Sequence, residues 1–315
     1  MEGTTRAPGW RPLPLLVPAL LWLTVFTVGP AVVSAIAAGT DKTLISPDFH
    51  WVGLDNADTA VHDPSLSHAV RNTLLYCVIT VIPAVVIGLG LALAASRLSR
   101  GRTAIAFALF LPASANLVAM SVVFAYMFND QPGSLANTVI GWFGAAPKDW
   151  LGDTSTALPV VALVGLWRLT SFIFVVYLAG LTSIPTSVYE AAAVDGVRGW
   201  ARVRRITLPL LTPSTVFVVV FSTILTLQTF ETVSVLTQGG PLDSSTTLVY
   251  YMYQVGFTGS FRIGYASMLA LLMFVVIALL GMGGALLGRR ARRRLSPDET
   301  VSDVDPMRLE RAVTA

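Results

Sequence analysis

Residues 69–95 read AVRNTLLYCVITVIPAVVIGLGLALAA. Beyond Arg71 this stretch carries no charge, and its apolar side chains run on without alternating. A bilayer core of ~30 Å needs about 20 such residues in a helix, whereas a barrel strand would alternate apolar and polar positions. Five further stretches pass the same test, at about 13–38, 103–128, 157–181, 212–236 and 266–287. Composition agrees: of 315 residues 54% are hydrophobic and 12% charged, with a mean hydropathy of +0.69. An ordinary soluble domain has roughly 25% charged residues. The chain therefore reads as an all-α membrane protein with six transmembrane helices, each satisfying its backbone polar groups internally.

Charge sets the expected orientation. With the N-terminus inside, 16 basic residues fall in cytoplasmic segments, among them Arg6, Arg11, Arg97, Arg100, Arg102, Arg198, Arg202, Arg204, Arg205, the cluster from Arg289 to Arg294, Arg308 and Arg311. Four fall outside (Lys42, Arg71, Lys148 and Arg262), and Arg168 lies within a span. The positive-inside rule then places both termini in the cytoplasm. The net charge of +3 records this bias and does not point to nucleic acid. Arg6 and Arg11 ahead of an apolar run ending in Ala35-Ile36-Ala37 imitate a secretory signal, but a run of about 26 residues exceeds the 7–15 of a signal core. The segment is read as a retained helix. The one cysteine, Cys77, lies inside the second span, where it packs and forms neither an internal disulfide nor a metal cluster.

The segments divide as 1–12, a cytoplasmic start; 13–288, the membrane domain; and 289–315, a basic stop followed by a tail that reads as disordered. The first outside loop, about 39–68, holds His50, His62 and His68 with Asp48, Asp55, Asp58 and Asp63. Their spacing lacks a close ligand pair, so it reads as solvated and no metal is expected. The second, about 129–156, carries Trp142 and Trp150, which suit a membrane interface. Small residues four apart, Ala84, Gly88 and Ala92 in the second span and Gly284 and Gly288 in the sixth, allow close helix packing within the bundle.

Between the fourth and fifth stretches lies a charged loop, residues 186–209. Ser187 can cap a short helix through Glu190-Ala191-Ala192-Ala193, and Gly196 suits the left-handed position that ends it. On a second helix Arg198, Arg202 and Arg205 share one face, with Trp200, Val203 and Thr207 opposite. Pro209 and Pro213 bend the chain into the fifth span. A loop that merely sits at the interface explains the arginines but not the acidic, alanine-rich turn ending at Asp195-Gly196. It reads as a handle for a soluble motor.

Glu190-Ala191-Ala192, Asp195-Gly196, Ile206, Leu208-Pro209 and Pro213 stand at the spacing of the EAA motif, and the chain resembles membrane subunits of binding-protein-dependent ABC importers. It departs from the usual pattern at Val197, commonly alanine, and Val203, commonly phenylalanine. From roughly residue 12 to 287 other words resemble the sugar-permease branch, with its maltose-type and glycerol-3-phosphate-type importers. They are Val52-Gly53-Leu54-Asp55-Asn56, Arg71-Asn72-Thr73-Leu74, Trp150-Leu151-Gly152-Asp153, Ala179-Gly180-Leu181 with Ile184-Pro185, and Thr237-Gln238-Gly239-Gly240-Pro241. The first two look like the first permease of an unequal pair.

The resemblance implies a multi-pass protein of a bacterial inner membrane, paired with a second permease above two ATPase subunits and below an extracytoplasmic substrate-binding protein. Glu190, Ala191, Ala192, Asp195, Gly196 and Pro209 would form the coupling element between the fourth and fifth spans. ATP and magnesium would bind the partner ATPases and no cofactor this chain, whose two lysines, Lys42 and Lys148, lie in no phosphate-binding loop. By itself the chain is not expected to be an enzyme. A sugar is the first substrate expected, a glycerol-phosphate ester the next.

Ionisable residues inside spans are candidates for function, since burying one costs about 2.5–3.5 kcal/mol even on insertion scales. Arg168 stands roughly 17 Å into the fourth span, near mid-membrane. It either lines a polar cavity or pairs internally. Gln228 and Glu231 stand one turn apart near the outer end of the fifth, where Glu231 can also reach interface water. Asn116 and Ser114, after Pro112, can bond substrate or a neighbouring helix. A gradient-driven transporter would show more buried carboxylates and an inverted repeat. A non-transporting scaffold would need no docking loop.

Overall fold

The computed structural model describes residues 13–46, 48–98 and 100–295, and apart from one isolated bridge between Thr40 and Trp51 their regular structure is helical. The expected start with Arg6 and Arg11 and the tail from Ser296 lie outside the described residues.

In chain order, α1 (Leu13–Leu23), a π-helical turn (Thr24–Val28) and α2 (Gly29–Ala37) form the first apolar stretch. The outside loop then holds α3 (Asp55–His62), and α4 (Pro64–Ser96) is the second stretch. The third is α5 (Arg102–Ser114) with α6 (Leu117–Met127), followed by the short α7 (Leu135–Gly141) and by α8 (Ala157–Thr182). Next come α9 (Thr186–Val194), α10 (Gly199–Arg202), a π-helical turn (Val203–Thr207) and α11 (Leu208–Leu210). Then follow α12 (Thr212–Leu227), α13 (Glu231–Leu236), α14 (Leu248–Tyr253), a π-helical turn (Gln254–Thr258) and α15 (Ile263–Leu295).

Four helical runs are long and apolar enough to cross a bilayer: Leu16–Ala37, Pro64–Ser96, Ala157–Thr182 and Ile263–Ala291. Two bent pairs, α5 with α6 at 92° and the run Gly199–Leu210 with α12 at 69°, make up to six if each counts as one span. The third stretch is thus not the continuous helix its composition suggests. Pro112 has no amide to donate, Ala115 is extended at φ −69°, ψ 144°, and the Asn116 side chain accepts from the Ala119 amide to start α6 afresh. The fifth stretch breaks again at residues 228–230, between α12 and α13.

The chain divides into two units, Met1–Ser67 with Val249–Val276, and His68–Leu248 with Ile277–Ala315. In the first, Ala60, Val255, Tyr265 and Leu269 form a small core. Asn56, the last residue of the Val52–Asn56 word, is buried and donates to the Ala38 and Thr40 carbonyls at 2.9 and 2.8 Å. Asp63 accepts the Tyr251 and Tyr265 hydroxyls at 2.5 and 2.6 Å. By contrast, Leu21, Trp22 and Val33 of α1 and α2 are exposed.

In the second unit α4, α8 and α12 share a core of Ala84, Ala92, Ile173, Phe174, Tyr177, Leu211 and Val218. Gly88 lets α4 and α8 close: a Cβ there would stand 2.6 Å from the Ile173 side chain. The expected small-residue packing holds for Ala84, Gly88, Ala92 and for Gly284, which faces Val220; Gly288 meets nothing. Cys77 is buried, on the face of α4 that also carries Thr73, Tyr76, Thr80 and Ala84.

Candidate functional site

The breaks in the third and fifth stretches meet. Helix α13 packs against α6 and α8, and the cavity there, ≈ 290 Å³, is lined by Ala113 and Leu117 on either side of one break and by Gln228, Thr229 and Glu231 at the other. Helix α8 contributes Arg168, α4 contributes Tyr76 and Thr80. Three of the five residues picked out in the spans, Arg168, Gln228 and Glu231, are therefore brought to one place. Non-helical backbone at membrane depth is tolerated where protein buries it or where it lines a wet cavity, and both breaks border this one.

Asn116 and Ser114 are not among the lining residues. Asn116 lies between Ala113 and Leu117 in sequence, and its side-chain oxygen accepts the Ala119 amide at the start of α6. Ser114 donates back to the Leu111 carbonyl at 2.9 Å. Gln228 and Glu231 do not stand one turn apart on a helix, because Gln228 closes α12 and Glu231 opens α13. Among the described residues Arg168 and Glu231 form no ion pair, and both side chains are exposed on the single chain. Sequence reasoning missed Tyr76, Thr80 and Thr229, ordinary residues in apolar runs. The Tyr76 and Thr229 hydroxyls lie 3.3 Å apart, and the buried Thr80 hydroxyl has no partner among the described residues.

Next to this region one sequence word holds the segment that follows another. Asn72 donates to the Asp243 and Thr246 carbonyls at 2.9 and 3.1 Å, and Thr73 accepts the Leu248 amide at 2.8 Å. They pin a loop whose Gln238, Gly239, Leu242 and Asp243 all have positive φ, a strained path that persists only when its surroundings over-determine it. A third word is organised by Asn137. Its Oδ1 accepts the Lys148 amide and the Trp150 indole, and its Nδ2 donates to the Asn129, Gln131 and Lys148 carbonyls. Close by, the Ser155 hydroxyl and amide, with Lys148, hold the Asp153 carboxyl down to about 2.

The loop at residues 186–209 is built largely as its residues predict. Helix α9 ends in a Schellman motif: the Val197 amide donates to the Ala192 carbonyl at 2.8 Å, the Gly196 amide to Ala193 at 3.2 Å, and Gly196 has φ +75°. Glu190, Ala191, Asp195 and Pro209 are exposed. Four details differ. Pro185 rather than Ser187 stands at the N-cap, and no side chain caps the helix there. Ala192, named with Glu190 and Ala191 as part of the coupling element, is itself buried and anchors α9. Arg202 is half-buried, its guanidinium 5.3 Å from the Tyr189 ring centre. Trp200 is 71% exposed, whereas Val203 and Thr207, read on the same face, are buried. With Val194, 89% exposed, it leaves apolar surface open on a charged loop.

Residues 84–293 match a family described as the binding-protein-dependent transport system inner membrane component. The chain belongs to this family. It is the membrane-embedded permease component of an ABC importer, similar over most of its length to curated permeases. It is 36% identical to the sulfoquinovosyl glycerol transport system permease protein SmoG of Agrobacterium fabrum, over 83% of this chain and 85% of that protein. It is 31% identical to the arabinooligosaccharides permease AraP of Bacillus subtilis, over 90% and 92%. With the sn-glycerol-3-phosphate permease UgpA of Brucella suis it shares 32% identity, over 89% and 95%. In fold the permease resembles a chain of a bacterial ABC transporter involved in the import of alginate, with a TM-score of 0.77 at 24% identity, over 89% of this chain and 96% of that one.

Proposed function

We propose that the chain forms half of the pathway of an ATP-driven importer for a sugar or a related glycerol ester, with α9 as the element that a separate ATPase grips. The observation that carries this is α9 itself: a short helix, anchored by Ala192, stopped by Gly196, and presenting Glu190, Ala191 and Val194 to a partner. Counting each bent pair as one span gives six, with α9 between the fourth and fifth on the basic, cytoplasmic side. The ATP and magnesium bind the partner subunits.

Arg168, Gln228 and Glu231 are polar side chains in apolar spans, exposed on the isolated chain. Facing lipid they would be costly. A second permease that closes the open side of the cavity keeps them wet, and substrate crosses between the two. Closure of the motor draws the docking helices together and rocks the bundles between outward and inward access. The family description supports an extracytoplasmic binding protein as the donor of substrate. The names of the relatives favour carbohydrates and glycerol esters. A gradient-driven mechanism would leave the docking surface of α9 without a use.

The test is Gly196→Val. Open space surrounds Gly196, but valine at φ +75° is strained, so α9 frays at its end while the spans stay inserted. Reconstituted with its partner subunits, the variant is expected to lose the rise in ATP hydrolysis caused by loaded binding protein, and to lose uptake with it. Glu190→Lys is expected to do the same more mildly. Full stimulation and normal uptake in Gly196→Val would show that α9 is not the coupling element.

A further inference from the structure

A second cavity of ≈ 520 Å³ lies behind α9, walled by the ends of α4 and α8, the start of α5, α9 itself and the turn through Arg202. Three arginines line it from three elements: Arg97 follows α4, Arg102 opens α5 and Arg202 closes α10. No carboxylate lines the cavity, and among the described residues none of the three forms an ion pair. Arg102 and Arg202 are half-buried, so water screens their charge less than that of a free surface arginine. Stacking on Tyr189 holds Arg202 in place. Like charges around one half-open cavity repel one another, and an oxygen-rich anion relieves that repulsion while matching the guanidinium fork.

We propose that this cavity binds a phosphate group and that its occupancy sets how firmly α9 is seated. Two sources carry the group: the headgroup of an anionic phospholipid, and a free phosphate. Basic pockets between helices at the cytoplasmic face suit the first. Tyr189 and Thr186 belong to α9, so a ligand held by Arg97 and Arg102 on the far wall clamps that helix against the ends of α4 and α8. An empty cavity leaves α9 loosely held and poorly placed to transmit a push. The inference rests on the reading of α9 as the docking element only for its consequence; binding itself does not depend on it.

The assembled transporter would be reconstituted in nanodiscs of phosphatidylcholine alone, phosphatidylcholine with phosphatidylglycerol, or phosphatidylcholine with millimolar inorganic phosphate against chloride at equal ionic strength. Thermal unfolding and stimulated ATP hydrolysis would be read in each. The expected result is a higher unfolding midpoint and stronger stimulation with phosphatidylglycerol, phosphate or both. The arm that responds identifies the source. Arg102→Gln with Arg202→Gln is expected to abolish most of the rise, with phosphate binding weakened roughly tenfold per arginine. Arg198→Gln with Arg204→Gln removes the same charge outside the cavity and is expected to keep the rise. Should the first pair fail to assemble, Arg97→Gln at the exposed rim is expected to weaken it. No response in any arm, or equal loss in both pairs, would overturn the proposal. A higher midpoint without any change in stimulation would keep the site and refute the role of α9.

Discussion

At the scale of single residues, the chemistry is concentrated where helices stop. Arg168 projects from an unbroken helix toward the ends of two broken ones. Its replacement by alanine is expected to cut uptake strongly while the complex still co-purifies, since among the described residues the guanidinium makes no ion pair whose loss would loosen the bundle. Uptake into vesicles and subunit recovery, measured on one preparation, check this. Collapse of the complex would make Arg168 structural. Gly88 acts oppositely. Valine there must displace Ile173 from a packed helix crossing, at about 1–3 kcal/mol by the usual cost of overpacking. Gly90, two residues on, has open space, so Gly90→Val is expected to leave the thermal midpoint within the scatter of surface changes while Gly88→Val lowers it.

Among elements, the junction of α3 and α4 shows how a carboxylate fastens helices. Burial pushes the Asp63 carboxyl up, but the Tyr251 and Tyr265 hydroxyls and the Leu66 and Ser65 amides outweigh it, and the net shift is downward. A group whose folded pKa is depressed stabilises the fold fully above its unfolded value and loses that contribution as pH falls through the folded one. The hold on α14 and α15 is thus expected to be constant from pH 8 to about 5 and to weaken below about 4. Hydrogen exchange at the start of α15 measures it, and Asp63→Asn should flatten the dependence. An equally steep fall in Asp63→Asn would assign it to other carboxylates. For α9, its capped end was legible in the sequence because left-handed backbone after an alanine-rich turn calls for glycine at one position. The burial of Ala192 and exposure of Trp200 were not, because which face of a short helix is covered depends on distant neighbours.

For the whole molecule the chief expectation is topology. In a Cys77→Ser background, single cysteines at the exposed Ser65 and Ser155 are expected to label from outside intact cells, and one at Ser183 only after permeabilisation. Labelling of Ser183 from outside would invert the orientation. Hydropathy and the bias of arginine determine the apolar stretches and their expected direction, because both are sums over neighbouring residues and need no contacts. The breaks escaped such sums, since a helix interrupted beside a wet cavity keeps its apolar composition. Only the tertiary structure brings Arg168 to Gln228 and Glu231, and the Asn72 word to the loop beginning at Thr237. Those meetings join segments far apart in the chain, and no sum over neighbouring residues contains a contact between such segments.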